Sequence, residues 1–143
     1  MKLVLDSSVF ISYLNENDIF FDSTTAFIDY LVEKQEIITI PVIVFLEVAN
    51  VLTRNNRDFK EEHMLSVFSK YEMIDINLHF ARFLLPLFKN FHLKTSDAII
   101  LGSTILNEAI LITWDEKFKK EAKKLIDVQT PKTFMSLLEQ APS

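Results

Sequence analysis

Four acidic residues of this chain each lie in a stretch that otherwise has the character of a hydrophobic core. Asp6 ends the strand-like run KLVLD, and Glu47 is the only charged residue of PVIVFLEVANVL. Asp97 opens the apolar run DAIILGSTIL, and Asp115 comes shortly after the strand-like run AILIT. A buried carboxylate is costly unless a base or a metal ion compensates its charge, and no basic residue is obviously paired with these four. The set therefore predicts a pocket for a divalent metal ion.

The elements that must position these acids alternate between strand-like and helix-like segments. Short β-rich runs predict strands at residues 2–5, 37–40, 72–76, 110–113 and 128–130. Apolar residues at helical spacing predict a turn or two over 8–14 and helices over 22–35, 41–54, 58–71, 77–91, 95–109, 115–126 and 131–140. Pro41 is expected to begin a helix, and Pro86 to kink or break one. This alternation indicates a parallel sheet covered on both faces, so we expect residues 1–143 to form a single α/β domain.

The four acids are expected to meet at one edge of that sheet. Ligands of open parallel sheets bind outside the carboxyl ends of the strands, and Asp6 and Asp115 stand just past two such ends. Glu47 lies about 9 Å along the helix that follows the second strand, and Asp97 lies in the first turn of the helix before the fourth. Mg²⁺ and Mn²⁺ prefer carboxylate oxygens. Such a site suits metal-assisted cleavage of a phosphodiester.

Each acid also has a simpler explanation. Asp97 could favour a helix N-terminus that Thr95 caps, through the helix macrodipole. Thr113 and Glu116 could form a capping box, which would leave Asp115 as another acid of a first turn. The first acid of the chain could cap the next helix, and the glutamate could lie on a solvated helix face. These explanations stay open for any single acid, but the whole set in this order favours a site.

Composition narrows the possible functions. The net charge of −5 argues against a plain electrostatic binder of nucleic acid, unless metal ions neutralise an acidic pocket. The chain has no cysteine, which excludes disulfides, thiolate zinc sites and a cysteine nucleophile. Its single glycine, Gly102, excludes the glycine-rich phosphate loops of ATPases and dinucleotide-binding proteins. No secretory signal or membrane span is indicated, so we expect a soluble, cytoplasmic protein with no membrane partner.

The motifs resemble those of the PIN-domain ribonuclease family, and most closely its VapC-like toxin branch. The opening LDSSVFI, the segment PVIVFLEVANVL, the segment LKTSDAIILGSTI and the segment ILITWDEKF each place one of the acids where the family has one. The closing VQTPKTFM is similar to the strand and helix that end this branch. The resemblance spans nearly the whole chain, in order. It implies a PIN-like three-layer α/β/α domain with a central, mainly parallel sheet.

The resemblance also implies roles for particular residues. It implies that one or two Mg²⁺ or Mn²⁺ ions are held by Asp6, Glu47, Asp97 and Asp115, and that RNA phosphodiesters are hydrolysed there. Ser8 and Thr113 would orient acids or water. The protein would be a toxin that a protein antitoxin holds in check. Two open alternatives are a PIN nuclease that processes RNA and a non-catalytic binding module with this fold.

Three departures from the family pattern concern the first and last motifs. Ser8 stands where many members carry asparagine, so the small polar position is filled without an amide. Trp114 is bulkier than the usual occupant between the threonine and the fourth acid. Glu116 follows Asp115 directly and could supply the same oxygens.

The remaining candidates concern substrate and partners. Arg54 and Lys94 are the strongest candidates for contact with RNA phosphates, and Arg57, Lys60 and Lys89 are weaker ones. The pattern of lysines in 117–124 is typical of the solvated face of an amphipathic helix. No histidine shows a metal-binding spacing. Several phenylalanines in the first quarter of the chain, Phe10, Phe20, Phe21 and Phe27, could leave an apolar patch exposed. An antitoxin helix lying between the early helices, or a homodimer contact, would cover such a patch.

Overall fold

A five-stranded parallel sheet forms the centre of the protein. The computed structural model describes residues 1–55 and 60–141. The strands are β1 (Lys2–Leu5), β2 (Ile37–Pro41), β3 (Glu72–Ile74), β4 (Ile110–Ile112) and β5 (Val128–Gln129). They lie side by side in the order β3-β2-β1-β4-β5, and every neighbouring pair is parallel. All five carboxyl ends therefore point to the same edge of the sheet.

Helices cover both faces of this sheet and complete a three-layer α/β/α fold. They are α1 (Ser7–Tyr13), α2 (Phe21–Lys34), α3 (Val42–Asn55), α4 (Glu61–Phe68), α5 (Leu78–Asn90), α6 (Thr95–Leu106), α7 (Glu116–Ala122) and α8 (Pro131–Gln140). This confirms the predicted fold class. Within the ranges 1–55 and 60–141, no helix is long and apolar enough to cross a membrane.

The strand order reverses between the two central strands, β1 and β4. From β1 the chain moves outward to β2 and β3, and it then returns to β4 on the other side of β1 before reaching β5. Such a reversal opens a crevice at the carboxyl ends, where doubly wound α/β proteins bind their ligands. Leu3, Val4 and Leu5 are fully buried, as expected for a strand covered on both faces. The topology thus places a crevice directly after Leu5 and Ile112.

The only glycine of the chain allows α5 and α6 to pack closely. A Cβ built on Gly102 would overlap the Leu84 side chain of α5 and would meet the Phe80 ring at 3.5 Å. Helix α6 lies against β1, β2 and β4 as well, so its position is fixed by the sheet and by α5 together. Its first turn carries Asp97. Close helix packing therefore contributes to the placement of that acid.

Several predicted boundaries differ from the structure. Pro86 does not break α5, because the carbonyl that loses its amide partner lies on an exposed part of the helix where water can hydrate it, and the kink stays a prediction. Pro41 ends β2 instead of beginning α3. Helix α6 ends at Leu106 rather than at residue 109, since Glu108 takes a left-handed conformation with φ of 49°. Helix α4 begins at Glu61, and the earlier predicted start, Asp58 and Phe59, lies outside the described residues.

Candidate active site

Asp6 and the Thr113–Asp115 turn come together at the reversal of strand order. Asp6 directly follows β1, and its backbone N–H donates to the carbonyl of Ile112 at the end of β4, with a distance of 2.9 Å. Thr113 is the next residue, and its own backbone N–H donates to the carbonyl of Gln129 on β5 at 3.0 Å. The sheet's hydrogen bonding therefore continues one residue past the strands. This hydrogen bonding places Asp6 and Thr113 in the crevice.

The Asp6 carboxylate is buried and held by two hydroxyl groups. Its Oδ2 accepts hydrogen bonds from Thr113 Oγ1 at 2.7 Å and from Ser8 Oγ at 2.8 Å, while Ser7 Oγ lies 3.5 Å from Oδ1. Only 4% of the residue is exposed. Burial raises the pKa of this carboxyl, the hydroxyl donors oppose the rise, and the negative charge of Asp115 adds to it. Asp6 is also the N-cap residue of α1, but its side chain makes no capping hydrogen bond.

Glu47 reaches the same crevice from the second turn of α3. It is half-buried, and its Oε1 is a buried atom with no hydrogen-bond partner among the described residues. Burial raises the pKa of this carboxyl, and the charge of Asp6 raises it further. Contacts with Ser7 and Ser96 and the charge of Lys94 act in the opposite direction. A buried carboxylate oxygen without a donor is costly, so its presence calls for a compensating partner.

Asp97 stands in the first turn of α6 and faces the other acids. Burial raises the pKa of Asp97 to about 6, and the charges of Asp6, Asp115 and Glu47 contribute to the rise. The simpler explanation for Asp97 assigned the helix cap to Thr95, and this is wrong. The N-cap residue is Lys94, with no side-chain hydrogen bond, and Thr95 is already the first helical residue. The electrostatic surroundings of Asp97 are therefore those of an acidic cluster.

Asp115 is exposed and caps α7 itself. Its Oδ1 accepts a hydrogen bond from the backbone N–H of Phe118 at 3.1 Å. The predicted capping box of Thr113 and Glu116 is absent, because the Thr113 hydroxyl is already engaged with Asp6 and accepts from the Asp115 backbone N–H at 3.0 Å. Asp115 is among the charges that raise the pKa of Asp6 and Asp97. Asp115 is thus in electrostatic reach of these two acids.

The donor chemistry of this cluster fits a divalent cation, although the carboxylates do not close around one point. Within the described ranges, no group of three His, Asp or Glu side chains is arranged to hold a metal ion. The three ion pairs found there join Met1 to Glu36, Glu33 to Lys34 and Glu121 to Lys124, and none involves the four acids. Mg²⁺ or Mn²⁺ would give the buried Glu47 oxygen a partner and would reduce the repulsion between the acids. Both ions also prefer the oxygen ligands that these side chains offer. Sharing one ion would require the carboxylates to move closer together.

A basic groove opens beside Asp97. This groove, with a volume of about 350 Å³, is lined by His92, Leu93, Lys94, Asp97, Lys117, Phe118, Lys120 and Glu121. The sequence pattern predicts only a solvated face for the α7 lysines and no metal-binding spacing for any histidine, so it does not identify Lys117, Lys120 and His92 as groove residues. Their spacing could have indicated the groove, because Lys117 and Lys120 lie three residues apart on one helix face, shortly after the fourth acid.

The other predicted phosphate-contacting residues have different positions. Arg54 is exposed in the last turn of α3, and it does not line the basic groove. Lys89 lies in the last turn of α5, and Lys60 precedes α4 as its N-cap. Arg57 lies outside the described residues. Of the basic residues predicted to contact RNA, Lys94 is the one that the structure brings to the acidic cluster, where its charge lowers the pKa of Glu47 and Asp97.

The early phenylalanines mostly pack inside the protein. Phe10 and Phe27 are fully buried, Phe21 is half-buried, and Phe20 stacks on the Trp114 ring with centroids 4.0 Å apart. A groove of about 710 Å³ nevertheless remains between the early helices, lined by Tyr13, Leu14, Asn15, Glu16, Asn17, Phe21, Thr25, His63 and Val67. Helix α5, away from this groove, carries several exposed apolar side chains: Leu78, Phe83, Leu85 and Phe88.

Fold and site together define a three-layer α/β/α domain with an acidic crevice at the carboxyl edge of its parallel sheet. The PIN domain family matches residues 3–124, and the chain belongs to this family, which indicates a nuclease. No curated protein matches the sequence significantly. Among solved structures, the chain is similar to VapBC2 from Rickettsia felis bound to a promoter DNA fragment. The two are 20% identical with a TM-score of 0.69, over 91% of this chain and 98% of that one.

Two further solved structures share the fold. A toxin–antitoxin complex from Klebsiella pneumoniae is 22% identical with a TM-score of 0.70, over 90% of this chain and 97% of that one. The sarcin-ricin loop cleaving toxin VapC20 from Mycobacterium tuberculosis is 10% identical with a TM-score of 0.69, over 82% of this chain and 93% of that one. At these identities the likeness supports the fold, and the predicted membership of the PIN-domain family is confirmed by the family match.

Proposed function

We propose that this protein is a metal-dependent endoribonuclease that hydrolyses RNA phosphodiesters at the acidic crevice. The observation that carries the proposal is that carboxylates from four separate elements interact electrostatically at Asp97, and that one of them has a buried oxygen without a hydrogen-bond partner. Such a cluster is destabilising by itself, so its presence at the carboxyl edge of the sheet points to a function that needs concentrated negative charge.

The roles we assign follow from the surroundings of each carboxylate. Asp6 is the fixed ligand, because Ser8 and Thr113 hold one of its oxygens and leave the other for a cation. Glu47 and Asp97 are the mobile ligands, and Asp115 completes the set with the oxygen that does not cap α7. Bound Mg²⁺ or Mn²⁺ would supply Lewis acidity toward the phosphodiester and the attacking water.

We propose that the basic groove holds the RNA backbone next to the cleavage site. Five lysines lie within residues 117–124 of an otherwise acidic chain, and two of them share the groove with Lys94 and Asp97. Single-stranded RNA releases counterions when lysines neutralise its phosphates, so binding should weaken with salt with a slope of about −0.7 per phosphate contact.

The groove is tested by RNA binding to Asp97→Asn protein, which should not cleave its ligand. Adding Lys117→Gln and Lys120→Gln together should weaken binding and make the salt slope less steep by about 1.4, because two phosphate contacts are lost at about 0.7 each. The control carries Lys2→Gln and Lys34→Gln, which remove the same charge at the opposite edge of the sheet. Equal loss in both double variants would mean that net charge, and not the groove, governs binding.

We further propose that the protein is the toxin of a toxin–antitoxin pair. Solved structures that share its fold are toxins or toxin–antitoxin complexes from several bacteria. The groove between the early helices, with Tyr13, Leu14, Phe21 and Val67 on its walls, is the surface we assign to an antitoxin helix. The exposed apolar side chains of α5 are the ones we assign to a homodimer contact.

The nuclease proposal is tested with purified protein, several RNAs, and Mg²⁺ or Mn²⁺ with an EDTA control. We expect cleavage that requires the metal and that falls by more than about 100-fold in Asp6→Asn and in Asp97→Asn, since each removes a charged ligand at nearly constant shape. Metal-independent cleavage would overturn the assigned site. Absence of both cleavage and metal binding would identify a non-catalytic binding module, and cleavage without any growth effect would favour RNA processing over a toxin.

A further inference from the structure

Trp114 is the only tryptophan of the chain, and it fastens the turn after β4 to the start of α2. Its ring stacks on Phe20, with centroids 4.0 Å apart and planes within 7° of parallel. Its indole N–H donates to Thr24 Oγ1 at 2.8 Å. Phe20 is the N-cap residue of α2, and Thr24 lies fully buried in the beginning of that helix. The turn that carries Thr113 and Asp115 is therefore attached to α2 at two points.

The indole hydrogen bond is the first of a chain that ends in the helix carrying Ser8. Ser12 Oγ donates to the carbonyl of Val9 at 2.8 Å, so its single hydrogen is used there. The Thr24 hydroxyl lies 2.7 Å from Ser12 Oγ and must be the donor of that pair. Thr24 can then accept from Trp114, so the indole N–H and both hydroxyl groups in this series of hydrogen bonds have partners. The tryptophan side chain is thereby joined to α1, which begins directly after Asp6.

A second series of hydrogen bonds runs through the backbone of the same turn and directs the hydroxyl groups of Ser8 and Thr113 to one oxygen of Asp6. The Trp114 backbone N–H donates to Ser8 Oγ at 3.0 Å, so the Ser8 hydrogen is free for Asp6 Oδ2. The Asp115 backbone N–H likewise donates to Thr113 Oγ1, which donates to the same oxygen. Because both hydroxyls point to Oδ2, the remaining contacts of the carboxylate are with Ser7, whose hydroxyl lies 3.5 Å from Oδ1 and whose backbone N–H also donates to the carboxylate.

We propose that Trp114 is a positioning residue whose side-chain attachment to Phe20 and Thr24 keeps Ser8 and Thr113 directed at Oδ2 of Asp6 and reserves Oδ1 for a divalent cation. This inference rests on the proposed metal site. It assigns a role to three residues, Trp114, Phe20 and Thr24, that lie outside the set of acids and hydroxyls already described. Without the attachment, the turn can relax and the Ser8 hydroxyl can turn away from the carboxylate.

The test measures Mn²⁺ binding by calorimetry in Phe20→Leu and Thr24→Val, which each remove one point of attachment and leave the tryptophan in place. Both variants should bind Mn²⁺ about 3–10-fold more weakly, a smaller loss than the roughly 10–100-fold typical of direct partners of metal ligands, because they act on Asp6 through Trp114. Thr24→Ser keeps the hydroxyl and should restore the affinity. Trp114 fluorescence adds an independent readout, since Mg²⁺ should change the emission of the wild-type protein and change it less in the two variants.

A matched control separates positioning from general destabilisation. Phe134→Leu removes part of a buried ring that packs on Phe27 and does not touch Trp114. It should lower the Tm as much as the two variants do, with unchanged Mn²⁺ affinity. Wild-type affinity in Phe20→Leu and Thr24→Val would overturn the role of Trp114 alone, and so would an equal loss in Phe134→Leu. A wild-type protein that binds no Mn²⁺ would overturn the metal site and this inference together.

Discussion

Asp6 and Glu47 are carboxylates at the same edge of the sheet, yet the protein surrounds them differently. Asp6 is almost completely buried, but two hydroxyl donors at 2.7 and 2.8 Å compensate one of its oxygens. Glu47 is less buried, and one of its oxygens has no donor among the described residues. Asp97 belongs with Glu47, because its surroundings are dominated by burial and by negative charge.

The difference separates a prepared side of the site from an uncompensated side. On the Asp6 side, hydrogen bonds across β1 and β4 hold the ligand geometry before any cation arrives, which lowers the ordering cost of binding. On the Glu47 and Asp97 side, repulsion and burial outweigh the compensating contacts, so a bound cation would lower the free energy most on that side. At the proposed metal site, the same repulsion would lower the stability of the metal-free protein and favour the binding of a cation.

Breaking the prepared side should have the largest effect. Thr113→Val removes a donor to Asp6 Oδ2 and the acceptor of the Asp115 backbone N–H. We expect cleavage to slow by about 10–100-fold, as for other partners of metal ligands, and the free energy of unfolding to fall by about 1–3 kcal/mol. Single-turnover cleavage and urea unfolding measure the two effects. Thr113→Ser keeps the hydroxyl and serves as control, and wild-type cleavage in the valine variant would refute the distinction between the two sides.

Breaking the uncompensated side should have the opposite effect on stability. Glu47→Gln removes a carboxylate whose buried oxygen has no partner, so the metal-free protein should be at least as stable as wild type. Mg²⁺ should stabilise wild type by about 2.7 kcal/mol at a concentration of 100 times its Kd, and should stabilise this variant much less. Thermal unfolding with and without Mg²⁺ measures the difference. Glu139→Gln, on the exposed part of α8, is the control, and equal stabilisation of all three proteins would contradict the assignment of Glu47.

The acids and the sheet edge could be predicted because both follow from local patterns. Asp6 ends an apolar run and Asp115 closely follows one, and parallel strands bring their carboxyl ends to one edge. The prediction of the helix caps failed for a physical reason. A threonine caps a helix only when its hydroxyl is free, and the Thr113 hydroxyl is engaged by Asp6, 107 residues away in the chain.

The contacts of Trp114 and the basic groove depend equally on distant parts of the chain. Trp114 meets Thr24 across 90 residues, and no local pattern indicates that pairing. The groove joins the start of α6 to one face of α7, so Lys120 looks like an ordinary solvated lysine until both helices are placed. Sequence patterns predict which elements exist, whereas the packing of those elements decides which side chains meet.

The smallest effect, and the most direct measure of the uncompensated side, is the pH dependence of stability. The pKa of Asp97 is raised from 3.8 to about 6 by burial and by its acidic neighbours. Between these pH values, the metal-free folded protein keeps a proton that the unfolded chain has released. Its stability therefore falls as the pH rises from about 4 to 6, and the loss is complete above pH 6. Asp97→Asn lacks this proton and lacks the share of the loss that Asp97 contributes, while Asp6 and Glu47, whose pKa values are also raised, contribute the rest in both proteins.

The stability difference between Asp97→Asn and wild type should therefore grow in favour of the variant as the pH rises. A shift of about two units corresponds to roughly 3 kcal/mol, which solvent screening of a half-buried group reduces to about 1–2 kcal/mol. Urea unfolding in EDTA at pH 4.5 and 7 measures the change, with Asp29→Asn on the exposed face of α2 as control. Mg²⁺ at pH 7 should then reverse the order of the two proteins, because only wild type keeps this ligand. If the order did not change with either pH or Mg²⁺, Asp97 would be an ordinary helix-terminal acid, and Glu47 alone would mark the uncompensated side.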